Sequence, residues 1–215
     1  MSEENKGKFY KIAAGKGVMN LPNILTLSRI LLIPIFVLFF YLDFTAHYFV
    51  ALAIFGIASL TDFFDGKIAR KYNLVTNLGK FLDPIADKVL VLSAFVIFLT
   101  VPEIFTRDCG SWALTAAGCG VAIILAREII VSGLRMVAAN NGSVIAADIF
   151  GKYKTFTQDL SVVILLVGEG VCALTDNIAG MIINCIGLSF FLLGVLLTVV
   201  SGINYIVKNI KVLKQ

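Results

Sequence analysis

Residues Tyr48 to Arg70 read YFVALAIFGIASLTDFFDGKIAR: fourteen apolar or small residues ending at Thr61, followed at once by Asp62, Asp65, Lys67 and Arg70. A helix rising about 1.5 Å per residue needs about 20 residues to cross a hydrocarbon core of about 30 Å. Fourteen residues fall short. If this run crosses a membrane, its helix must carry on through the charged residues that follow it. The run Val89 to Val101 has the same shortfall, so its helix is expected to start upstream near Asn77 and to include Asp83 and Asp87. Further apolar runs lie at Ile24 to Leu42, Trp112 to Ala126, Leu160 to Leu174 and Ile178 to Val207, and the fourth of the six is expected to continue past Arg127, Glu128 and Arg135.

Composition places the chain in a bilayer. Of 215 residues 59% are hydrophobic and only 15% charged, and the mean hydropathy of +0.93 lies outside the soluble globular range. We therefore expect an all-α integral membrane protein of six transmembrane helices forming a single domain over residues 1–215. Residues 1–20 are polar and basic, lack the apolar core of a cleavable signal, and are expected to form a cytoplasmic amphipathic or flexible lead. Cys109, Cys119, Cys172 and Cys185 have no metal-ligand or redox spacing and are expected to be packing residues. His47, in a polar break between apolar runs, is expected to be interfacial.

The basic residues orient the chain. Seventeen of eighteen Lys and Arg fall in the lead, at the start of the first span, around the connections after the second and fourth spans, and after the sixth; Arg107 alone falls on the other side. The positive-inside rule then puts both termini in the cytoplasm of a multi-pass cell-membrane protein. A basic cytoplasmic side suits anionic lipid headgroups. Nucleic acid is not expected as a partner, because no compact soluble domain remains to carry a groove reader.

Chemistry concentrates where the second and third spans meet. Asp62, Asp65 and Ala69 are spaced i, i+3, i+7, and Gly79, Asp83 and Asp87 are spaced i, i+4, i+8, so each set forms one stripe on a helix. A short connection, about Lys71 to Thr76, makes the two helices antiparallel neighbours whose stripes can face each other. Four carboxylates brought together repel and require a positive partner. An all-oxygen ligand set without Cys or His favours Mg²⁺ or Mn²⁺, and two such ions suit a diphosphate substrate. Gly66, Ala69 and Gly79 leave room against the helix backbones, and Arg70 is placed to meet phosphate oxygens. A cation transporter could also use such carboxylates. It would need polar positions continuing across the membrane, and Val89 to Val101 offers only Ser93 and Thr100.

The stretch from Asp62 to Asp87 resembles the signature of the CDP-alcohol phosphatidyltransferase family, DxxDGxxARx₈GxxxDxxxD, with all eight specified positions matched. The resemblance implies the six-helix family fold, CDP-diacylglycerol as the phosphatidyl donor, and a homodimer. It implies that Asp62, Asp65 and Asp83 ligate metal and that Asp87 is both a ligand and the general base for the acceptor hydroxyl. Gly66, Ala69, Arg70 and Gly79 would then line the donor site. Arg29, six residues into the first span, would reach the donor diphosphate or else snorkel to the headgroups.

The motif leaves the acceptor alcohol open. Arg127 and Arg135 are eight residues apart, about two helical turns, and with Lys152 and Lys154 they form a cationic pocket too strong for a neutral alcohol. Glu128 is either an acceptor ligand or a partner for a neighbouring arginine. These segments are similar to those of the family branch that takes sn-glycerol 3-phosphate, with serine, inositol phosphate or phosphatidylglycerol as alternative acceptors.

Overall fold

The computed structural model describes residues 21–72, 77–140, 149–175 and 178–209, with no strand among them. Among the described residues seven helices are formed: α1 (Leu21–Tyr41), α2 (His47–Tyr72), α3 (Asn77–Phe98), α4 (Glu103–Cys109), α5 (Trp112–Asn140), α6 (Ile149–Leu174) and α7 (Ile178–Asn209). The lead, residues 1–20, lies outside the described residues, as do residues 73–76 in the expected turn between α2 and α3. Of these helices α1, α5, α6 and α7 are long and apolar enough to cross a bilayer. The apolar parts of α2 and α3 are the shorter stretches His47–Thr61 and Lys88–Phe98, and each helix runs on unbroken through the charged residues beside it. Only α4 has no counterpart among the six apolar runs. It is a seven-residue helix that ends at Gly110, whose φ of 81° lets the chain turn toward α5.

The chain divides into two compact units, residues 1–93 and 94–215, with the boundary inside α3. In the first unit α1 and α2 pack antiparallel, since partner numbers fall on one helix as they rise on the other: Phe36 meets Phe55, and Phe40 meets Tyr48. Phe36, Phe40, Ala51, Phe55 and Ala58 are buried between them. His47 closes the connection by donating from Nδ1 to the Phe40 carbonyl at 2.9 Å, with its ring against Tyr48. Pro34 sits inside α1 on an exposed position, where the missing backbone donor is tolerated.

The second unit is organised by α7. Gly180, Asn184, Gly187, Phe191, Gly194, Thr198, Ser201 and Tyr205 are all buried, and their spacing alternates four and three. This 3.5-residue period keeps one seam facing a partner helix along the whole length. Its small residues let backbones approach. A Cβ on Gly187 would strike Leu165, and one on Gly194 would lie 3.2 Å from Gln158 Cγ. A Cβ on Gly180 would overlap Cys172, which is half-buried; Cys109, Cys119 and Cys185 are exposed. Side-chain bonds add to the seam: Gln158 Nε2 donates to Thr198 Oγ1 at 3.0 Å, and the Ser161 hydroxyl donates to the Gly187 carbonyl at 3.1 Å. α6 and α7 therefore form an antiparallel pair. α5 packs on α7 where Gly120 meets Phe191 and Val195, whereas Gly118 and Gly133 face open space.

At the end of the seam near α4, Arg107 donates from both terminal nitrogens to the two carboxylate oxygens of Glu169, each at 3.2 Å, and the Asn184 amide donates to the same carboxylate. Arg107 is the one basic residue that the sequence places on the acidic side. The ion pair balances its charge locally.

Candidate active site

The helices that carry the aspartates are continuous through the motif. Asp62, Asp65, Gly66, Ala69 and Arg70 fall within α2, and Gly79, Asp83 and Asp87 fall within α3, so the i, i+3 and i, i+4 stripes exist on the backbone. The side chains at these eight positions lie outside the described residues. Their donor set is all oxygen, which fits a hard divalent cation.

Arg29 approaches this motif from α1. It is fully enclosed, and its Nε donates to the carbonyl of Ala58 at 3.1 Å. Thr61 donates to the same carbonyl at 2.6 Å. In an α-helix that carbonyl also receives the N–H of residue 62, so Arg29 is anchored one turn from the first aspartate of the motif. An arginine buried this way does not snorkel to the headgroups.

Two basic residues of the second unit, Arg127 and Lys154, meet at Glu128. Arg127 and Glu128 lie on α5 and Lys154 lies on α6; Glu128 and Lys154 are 6% and 4% exposed. Arg127 Nη1 donates to Glu128 Oε1 at 3.0 Å, and the Lys154 ammonium donates to the same oxygen. Arg127 Nη2 donates to the Ser201 hydroxyl of α7 at 2.7 Å. Glu128 is thus the partner of Arg127 and Lys154 rather than of Arg135. Two cations meet one carboxylate oxygen, and Arg127 Nε is buried with no acceptor. A buried donor without an acceptor is costly unless a ligand satisfies it.

Arg135 is two turns further along α5. It is more exposed, its Nε donates to the Tyr205 hydroxyl at 3.1 Å, and its guanidinium carbon lies 5.5 Å from the Tyr205 ring centroid. Both arginines thus turn toward α7, as their spacing suggests. Lys152 is not part of the cluster. Two residues from Lys154 is about 200° around a helix, so Lys152 emerges on the opposite face of α6 and is exposed. Sequence reading assigned no part to Ser201 or Tyr205. The available signal was their place in the four-and-three repeat of α7, where polar side chains interrupt an apolar run.

Comparison with known proteins shows the family of this chain. The family model for CDP-alcohol phosphatidyltransferase matches residues 19–201. A CDP-diacylglycerol–glycerol-3-phosphate 3-phosphatidyltransferase of Bacillus subtilis (strain 168) is 39% identical over 211 residues, covering 92% of this chain and 98% of the relative. Proteins of the same name from Rickettsia bellii (strain RML369-C) and Shigella flexneri serotype 5b (strain 8401) are 38% and 39% identical, covering 86% and 87% of this chain and 93% of each relative. The family match runs through both units, and the chain belongs to the CDP-alcohol phosphatidyltransferase family.

Proposed function

We propose that this protein transfers the phosphatidyl group of CDP-diacylglycerol to sn-glycerol 3-phosphate, releasing CMP and forming phosphatidylglycerophosphate. The observation that carries the acceptor assignment is the Arg127–Glu128–Lys154 cluster, two cations around one carboxylate oxygen with a buried Arg127 Nε lacking an acceptor. A phosphate monoester is an anionic acceptor suited to these cations, which serine does not offer at its hydroxyl end. The names of the relatives point the same way.

In this reading Arg127, Lys154 and Arg135 hold the acceptor phosphate, and exposed Lys152 attracts it from a distance. Gly66, Ala69, Arg70, Gly79 and Arg29 bind the donor. Asp62, Asp65, Asp83 and Asp87 hold Mg²⁺ or Mn²⁺, as two ions, which when bound neutralise the donor diphosphate and the departing phosphate. The acceptor hydroxyl attacks the phosphorus that bears diacylglycerol, and a carboxylate oxygen of Asp87 takes the hydroxyl proton. The bond from that phosphorus to the bridging oxygen breaks, and CMP leaves with the electron pair. The chain functions as one membrane domain of six crossings with residues 1–20 as a cytoplasmic lead. Its termini and active site are at the cytoplasmic face of the cell membrane, and it works as a homodimer among membrane lipids. The basic-residue asymmetry and the unbroken helices through Asp62 and Asp83 support this topology.

The deciding experiment supplies purified protein with CDP-diacylglycerol and, in turn, sn-glycerol 3-phosphate, serine, inositol phosphate or phosphatidylglycerol, and identifies the radiolabelled lipid. Phosphatidylglycerophosphate is expected from glycerol phosphate. A lipid product from another acceptor, with none from glycerol phosphate, would overturn the assignment.

A further inference from the structure

α7 offers two buried hydroxyls to the two arginines of α5. Ser201 and Tyr205 are 0% and 2% exposed, and they receive Arg127 Nη2 at 2.7 Å and Arg135 Nε at 3.1 Å. Partner numbers rise together on the two helices, so α5 and α7 run parallel here. The arginine Cα atoms are eight residues apart, about 12 Å of helical rise, whereas their partners are four residues apart, about 6 Å. The two arginines, two turns apart on α5, are therefore tied to residues one turn apart on α7.

Packing holds the first of these side chains in place as well. A Cβ on Gly202 would lie 3.1 Å from Arg127 Cγ. One on Gly151 would lie 3.9 Å from Arg127 Nη2 and 4.0 Å from Ser201 Oγ. With Nη1 on Glu128 and Nη2 on Ser201, the Arg127 guanidinium has two of its three nitrogens fixed before any ligand arrives, and the third, Nε, is the one left without an acceptor. An arginine side chain has many rotamers, and a side chain fixed in advance does not lose that freedom on binding.

We propose that Ser201 and Tyr205 are positioning residues of the acceptor site: the α7 hydroxyls set Arg127 and Arg135 so that both engage the phosphate monoester of the acceptor. The proposal rests on the acceptor reading given above. Neither hydroxyl touches the reacting atoms. Each acts through its arginine, so its loss is felt in acceptor affinity.

The test is steady-state kinetics on the full-length enzyme, varying each substrate, for Ser201→Ala, Tyr205→Phe, Gly202→Ala, Arg127→Ala, Arg135→Ala and the double variant Ser201→Ala/Arg127→Ala. Ser201→Ala and Tyr205→Phe are each expected to raise KM for glycerol phosphate about three- to tenfold, with kcat and the donor KM close to the parent. Gly202→Ala keeps the hydroxyl but presses on the Arg127 stem, and it should give the same acceptor-KM signature. The double variant should be no worse than Arg127→Ala alone, because Ser201 has nothing left to position. If Arg127→Ala raises the acceptor KM while Ser201→Ala and Tyr205→Phe leave it unchanged, the positioning role is overturned and the acceptor reading stands. Independent, multiplying effects of Ser201→Ala and Arg127→Ala overturn it too. If neither Arg127→Ala nor Arg135→Ala moves the acceptor KM, the acceptor reading fails and takes the inference with it.

Discussion

Arg29 on α1 donates from Nε to the carbonyl oxygen of Ala58 on α2 at 3.1 Å, from a position fully closed to solvent. A buried guanidinium one turn from Asp62 serves the donor diphosphate in our reading, and the Ala58 carbonyl orients it. Arg29→Ala is expected to lower kcat/KM for CDP-diacylglycerol about ten- to hundredfold while leaving the glycerol phosphate KM within about threefold. Donor kinetics equal to the parent's, with only the thermal midpoint lowered, would reduce Arg29 to a packing residue.

Asp87→Asn should abolish turnover while CDP-diacylglycerol binding survives. The amide cannot take the hydroxyl proton, whereas three carboxylates remain to hold metal. Binding is measured with labelled donor under conditions of no turnover, and near-parental turnover would remove Asp87 from the role of general base.

Chelation should silence the enzyme. Four carboxylates and a diphosphate cannot share a pocket without countercharge, so EDTA is expected to remove activity and added Mg²⁺ or Mn²⁺ to restore it. Unchanged turnover in metal-free buffer would contradict the metal role of Asp62, Asp65, Asp83 and Asp87.

The two arginines of α5 should differ in degree. Arg127 is more enclosed than Arg135 and has a buried nitrogen without an acceptor, so its truncation removes the better-shielded contact. Arg127→Ala is expected to raise the glycerol phosphate KM about 10- to 150-fold, and Arg135→Ala by less, with the donor KM within about threefold for both. Arg70→Ala should show the converse pattern, damaging donor use first. Measuring both KM values for the three variants separates the pockets, and a purely donor-side defect in Arg127→Ala would refute the phosphate role.

Far from that cluster, Gly168 tests the α6–α7 seam. A Cβ there would overlap the Asn184 side chain and lie 3.1 Å from its backbone nitrogen, a position that cannot yield without separating the helices. Gly168→Ala should cost about 1–3 kcal/mol of stability, read as a lowered thermal midpoint, with both KM values unchanged in the folded fraction. A midpoint equal to the parent's would mean that the helices part more readily than their packing indicates.

The limits of sequence reading follow from what kind of information each feature needs. Unbroken helices through Asp62 and Asp83 were legible because length is one-dimensional: fourteen apolar residues cannot span a bilayer, so the helix must extend. The aspartate motif was legible for a related reason, since fixed spacing on a continuous helix defines a stripe without reference to any other element. α4 was not, because a seven-residue segment containing Glu103, Arg107 and Asp108 carries no span-length signal. Its place in the fold depends on Arg107 finding Glu169, sixty-two positions away.

The basic residues divide along the same line. Sequence by itself determined that Arg127, Arg135, Lys152 and Lys154 are concentrated at the ends of two apolar runs, and the spacing of the arginines determined that both could turn one way. Only tertiary structure decided that Lys154 enters the cluster while Lys152 stays outside it, that Glu128 pairs with Arg127 and Lys154, and that Ser201 and Tyr205 of α7 receive the arginines. Apart from the adjacent Arg127 and Glu128, those pairings join residues 26 to 74 positions apart. They arise because the four-and-three repeat of small residues on α7 brings its backbone close to its neighbours, which sets a register that no local pattern on α5 or α6 encodes.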